Sequence, residues 1–120
     1  LQQLQFTNKK SIKLIDEILE KEEQSIIIIQ SDHGSGFDAN LQDPTDDDIV
    51  QKLSNLNAIY FPDEKHREML TDDRTNVNTF RIVFNSYFGS DYEMLEDRIY
   101  WGLSYKTPFW FKDVTSILLN

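Results

Sequence analysis

The sequence predicts an α/β fold, a sheet with flanking helices, and three stretches carry that reading. Four consecutive isoleucines, Ile26 to Ile29, are too few to span a membrane and too β-branched to suit a helix. They read as a strand buried on both faces, in the middle of a sheet. Before them, Leu1, Leu4, Ile12, Ile15, Ile18 and Leu19 keep mostly to three- and four-residue steps with Lys9, Lys10, Lys13, Asp16 and Glu17 between. That spacing predicts an amphipathic helix over 1–22. After them, a second apolar run and a dense apolar helix complete the alternation of strand and helix.

In chain order, Thr7 and Asn8 are positions where the first helix is open to interruption or a cap, and Lys21 to Gln24 hand over to the isoleucine strand. Asp38 to Asp48, with Pro44, is a loop. Thr45 followed by Asp46, Asp47 and Asp48 predicts a helix start, because a threonine caps well and carboxylates suit the positive end of the helix dipole. That helix runs to about Leu53. Leu56 to Phe61, closed by Pro62, predicts a second strand, and the charged Asp63 to Thr75 a long surface loop. Val77, Phe80, Ile82, Val83, Phe84, Tyr87 and Phe88 predict a helix capped by Asn76 or Asn78 and ended by Gly89. Arg98 to Ser104 and Phe109 to Phe111 predict a hairpin through Lys106, Thr107 and Pro108, and Val114 to Leu119 a closing helical turn.

Composition bounds the function. With 39% hydrophobic and 12% aromatic residues in 120, the chain is globular, a single domain or a piece of one, and its start at Leu1 suggests a longer protein. The 21 acidic against 12 basic residues give a net charge of -9, which disfavours nucleic acid and anionic membrane surfaces as partners. The absence of cysteine excludes disulfides, thiolate metal sites and a cysteine nucleophile within these residues and leaves the compartment open.

The chemistry gathers where the isoleucine strand ends, at Ser31-Asp32-His33-Gly34-Ser35-Gly36. In α/β sheets ligands bind beyond the carboxyl ends of strands. A carboxylate and an imidazole leaving such a strand together, with Gly34 and Gly36 to let backbone approach a ligand, make half of a metal site. The competing reading is a strand-end aspartate that accepts turn hydrogen bonds beside an exposed histidine.

Together with that motif, Gln5 to Lys10, Leu56 to Pro62, Val77 to Gly89 and Phe111 to Thr115 form an ordered set that resembles the C-terminal part of the alkaline phosphatase and sulfatase superfamily, phosphoglycerol transferases included. The resemblance covers nearly the whole chain. It implies that Asp32 and His33 are metal ligands, with manganese or zinc favoured over calcium by the imidazole, and that the substrate is a phosphate or sulfate ester. It also implies that the nucleophile lies in an N-terminal half, since no Cys-x-Pro-x-Arg or Ser-x-Pro-x-Arg element occurs here. No catalytic residue is therefore assigned within the chain. Relatives are often extracytoplasmic or membrane-anchored.

The remaining candidates weigh less. Ser31 and Ser35 read as turn residues, and His66, in a run of charged residues, as an exposed loop histidine. Asp43 to Asp48 lacks the alternating ligands of a calcium loop. Lys106 and Lys112 are candidates to face an anionic substrate, and Trp101, Phe109, Trp110 and Phe111 are core or interface aromatics. A sheet cut from a larger domain exposes an edge, so homo-oligomerisation is expected there, with the aromatics near the chain end as the contact. The alternative function is a non-catalytic acidic interaction module that keeps the fold.

Overall fold

The computed structural model describes residues 2–71, 74–102 and 108–119. Helix α1 (Gln2–Lys21) is followed by β1 (Ile27–Gln30), α2 (Asp46–Leu53), β2 (Asn57–Tyr60) and α3 (Glu64–Arg67). A 3-10 turn (Asn76–Asn78) leads into α4 (Thr79–Tyr87), then β3 (Tyr100–Gly102), β4 (Phe111–Asp113) and α5 (Thr115–Leu118). The helices thus accompany two small two-stranded antiparallel sheets, β1 with β2 and β3 with β4. The chain divides into two compact units, residues 1–29 with 58–70 and residues 30–57 with 71–120.

In the first unit α1 runs without a break. The Thr7 hydroxyl, instead of capping, donates to the carbonyl of Gln3 one turn back (3.0 Å). Ile15, Ile18 and Leu19 are half-buried, while Leu4, Phe6, Ile12 and Leu14 are exposed. Beyond Tyr60, Phe61 is fully buried, and Arg67 turns back to donate to the carbonyls of Phe61 and Pro62, both at 2.8 Å. The loop expected over Asp63 to Thr75 therefore holds a helical turn. Asp63 caps it by accepting from the His66 amide (3.0 Å).

The isoleucine strand departs from expectation. Residues 27–30 are half-buried rather than buried on both faces, and among the described residues β1 has one strand partner, β2. In a pair, each strand keeps an edge and part of its faces open, so β1 is not the middle of a sheet within these residues.

The second unit has its core where α2, β3 and α5 meet. Ile49, Trp101 and Val114 are buried there, with Leu53, Ile99, Ile117 and Leu118 packed against them. Helix α2 starts where the sequence places it. Thr45 and Asp48 form a reciprocal capping box, the hydroxyl accepting from the Asp48 amide and the carboxylate from the Thr45 amide at 2.8 Å. Helix α4 buries Thr79, Ile82 and Val83 and leaves Phe80, Phe84 and Phe88 exposed. It ends at Gly89 with φ +67°, across which the Ser90 amide reaches the Phe84 carbonyl (3.3 Å). Of the two asparagines expected to cap it, Asn78 precedes α4 without a side-chain cap bond, and Thr75 caps the 3-10 turn. The Asn78 side chain instead exchanges two hydrogen bonds with Leu95, and Asn85 does the same with Tyr92. A segment without regular structure is thereby held to α4 by amide side chains.

The β3–β4 pairing matches Tyr100 with Asp113, Trp101 with Lys112 and Gly102 with Phe111, so the second strand lies two residues later than Phe109 to Phe111 suggested. Lys106 and Thr107 of the expected turn lie outside the described residues. Trp101 faces the core and does not belong to an exposed contact surface, whereas Phe109 and Trp110 are 87% and 67% exposed.

Two carboxylates give this unit a pH dependence. The Thr45 hydroxyl, then the amides of Thr45 and Asn40, hold Asp48 below the ordinary aspartate value. Thr115, through side chain and amide, and more weakly Arg98, do the same for Asp113. A depressed folded-state value means that the folded chain binds fewer protons. The stabilisation is then complete above the unfolded value and is lost as pH falls through the folded one. The urea midpoint is expected to drop below roughly pH 4, and the double variant Asp48→Asn, Asp113→Asn to flatten that drop. An equally steep drop in the double variant would contradict the assignment.

Candidate metal centre

Strand β1 ends at Gln30, and its last side chain is anchored, the amide donating to Asn57 Oδ1 (3.0 Å) and to the buried Thr79 hydroxyl (3.1 Å). The next residue continues the strand pairing, Ser31 N–H to the Leu56 carbonyl at 2.9 Å. Asp32 and His33 therefore leave from a fixed point. Their side chains are 87% and 47% exposed, and His33 Nε2 lies 3.6 Å from Asp32 Oδ2.

The imidazole has a defined orientation. His33 Nδ1 is 2.6 Å from the Gly34 carbonyl, which can only accept, so Nδ1 carries the proton in that bond. In the neutral ring this leaves the lone pair on Nε2, the nitrogen beside Asp32. Two acceptors facing each other at 3.6 Å repel unless a proton or a cation lies between them. Two ligands bound at about 2.0 to 2.1 Å in a tetrahedral site stand roughly 3.3 Å apart. The pair fits two positions of a single divalent ion. Among the described residues no group of three or more His, Asp or Glu side chains that could hold a metal ion is found.

The glycines act on the other side of the turn. The Gly34 amide donates to the Lys52 carbonyl at the end of α2 (2.7 Å). A Cβ on Gly34 would run into the Gln51 carbonyl oxygen and lie 2.6 Å from that of Ser54. Gly36 has φ +53°, and a Cβ there would sit 2.7 Å from Cδ of Lys52, whose stem lies across it. Both positions need glycine, for packing against α2 and for conformation.

The other candidates do not join this site. His66, expected to be exposed, is half-buried, its Nδ1 2.7 Å from Asp63 Oδ1 in the turn of α3. Ser35 is exposed in the turn. Lys112 sits on β4 opposite Trp101 and is exposed; Lys106 lies outside the described residues. In the Asp43 to Asp48 run, Asp48 is committed to its cap and to the Asn40 amide (3.1 Å). Near the chain end a shallow cavity is lined by Glu96, Arg98 and Asp113. Its guanidinium is already taken, 2.8 Å from Glu96 and 3.3 Å from Asp113, and Glu96 raises its pKa. Sequence reasoning missed Asn55, whose amide donates to the Ser31 carbonyl (3.1 Å). Its position just past a helix C-terminus was the only signal. Comparison with known families, with curated proteins and with solved structures yields no match.

Proposed function

We propose that this chain is the C-terminal, metal-carrying part of an alkaline phosphatase- or sulfatase-like enzyme, a hydrolase or phosphoglycerol transferase acting on phosphate or sulfate esters. The observation that supports it is the Asp32–His33 pair at the end of β1, with Nε2 and Oδ2 3.6 Å apart and Nδ1 engaged by backbone. Imidazole beside carboxylate suits manganese or zinc better than calcium. When bound, such an ion polarises ester oxygens and offsets the charge that develops on them. The chain's own residues would hold it: Asp32 through its carboxylate and His33 through Nε2, while Gly34 and Gly36 seat the turn that carries them against α2. Because the chain carries a net charge of -9, an anionic ester would find its positive counterpart chiefly at the metal.

On this reading the nucleophile lies outside these residues, and β1 finds its further strands there. The same open edge makes self-association of the isolated chain an expected property. Sedimentation up to roughly 100 μM tests it, since an association of ~5 to 6 kcal/mol shows there and a monomer throughout would refute it.

The function is tested by hydrolysis of chromogenic phosphate and sulfate esters. The complete protein with manganese or zinc is expected to turn over, and Asp32→Ala or His33→Ala to lower kcat/KM more than a hundredfold. The 120-residue chain alone is expected to give no metal-dependent turnover. A complete protein indifferent to metal and to both substitutions would instead favour the acidic interaction module.

A further inference from the structure

Two peptide planes flank Asp32 and His33, and both are held by one short stretch, residues 52–56, between α2 and β2. At the near plane the Ser31 carbonyl accepts from Asn55 Nδ2 (3.1 Å), while the Ser31 hydroxyl accepts from the Leu56 amide (2.8 Å). At the far plane the Gly34 amide donates to the Lys52 carbonyl (2.7 Å), and one peptide further on the Gly34 carbonyl accepts from the His33 ring. A peptide held at its carbonyl or amide cannot rotate without losing that bond, and a peptide rotation at Ser31–Asp32 would swing the Asp32 side chain away from Nε2. Of these contacts, the bond from Asn55 is the one that a side chain makes directly to the peptide preceding Asp32. The Asn55 backbone is itself set, its amide donating to the Leu53 carbonyl (2.9 Å).

We infer that Asn55 is a positioning residue for the Asp32–His33 pair, holding the Ser31–Asp32 peptide so that the carboxylate and Nε2 meet one cation. The inference rests on the metal-binding reading above. Ligand pairs must be held within about 0.5 Å to bind well, and groups hydrogen-bonded to the ligands themselves typically contribute roughly 10- to 100-fold in affinity, so Asn55, which holds the peptide before Asp32, is placed at the low end of that range.

The test is titration of the 120-residue chain with Mn²⁺, followed by paramagnetic broadening of the Asp32 and His33 amide signals, with the ring nitrogen shifts of His33 read alongside. Asn55→Ala removes the donor. Asn55→Asp keeps the shape but places an acceptor against the Ser31 carbonyl, and so covers the case in which the alanine variant fails to fold. Both are expected to weaken Mn²⁺ binding roughly tenfold, while the His33 ring shifts keep the Nδ1–H form, because its Gly34 partner is untouched. Affinity within twofold of the unsubstituted chain, even with a lowered melting temperature, overturns the inference, since a purely structural role predicts that result. Asp32→Ala is the control and is expected to abolish the broadening. If it does not, the metal-binding reading fails and this inference with it, whereas loss in Asp32→Ala with no change at Asn55 refutes the positioning role alone.

Discussion

Gly34→Ala is expected to cost about 3 kcal/mol of stability, at the upper end for overpacking, and to release the Asp32–His33 turn from α2. The new methyl would meet backbone on three sides, the carbonyl oxygens of Gln51, Ser54 at 2.6 Å and Lys52 at 3.1 Å. Carbonyls at a helix end cannot step aside as a flexible side chain can, so the turn has to lift, and its 2.7 Å bond to Lys52 goes with it. Gly89→Ala makes the comparison. At φ +67° it has nothing within 4 Å, so it bears only the left-handed penalty of about 1 kcal/mol. Urea unfolding of both variants checks this: equal costs at the two glycines would mean that the turn does not pack on α2 as described.

The second large effect falls on Trp101→Ala, expected to destabilise the second unit by about 3 to 5 kcal/mol. Trp101 is 8% exposed and packs with Ile49 and Val114, so truncation leaves a cavity that elements held by capping and strand pairing cannot close. Trp110→Ala, at 67% exposure, should stay within about 0.5 kcal/mol. The two variants share one chemical change and differ only in burial. Similar urea midpoints for them would contradict the core.

These tryptophans show where sequence stops being informative. Both lie in aromatic surroundings near the chain end, and which of them faces inward depends on the β3–β4 register, which no local pattern encodes. Helix α1, the Thr45 cap of α2 and the Gly89 stop of α4 were legible because their signals are local: periodicity, a capping box and a left-handed glycine. Helix α3 was not, since four residues are too few for a period, although Asp63 three residues before His66 was a usable cap signal. The isoleucine run correctly marked a strand and overstated its burial, because burial depends on neighbouring strands that the run itself cannot supply. Of the candidate site, the position of Asp32 and His33 just past a strand end was legible. The clamp from Asn55, Leu56 and Lys52 was not, since bonds more than 15 residues apart in sequence leave no spacing to read.

The most direct measurement of whether Asp32 and His33 form a metal centre is anomalous diffraction from crystals of the chain soaked in zinc. The expected result is a peak about 2.0 to 2.2 Å from both His33 Nε2 and Asp32 Oδ2, with Nδ1 still bonded to the Gly34 carbonyl. A peak among Asp43 to Asp48 instead, with the imidazole turned away from Asp32, would contradict the account.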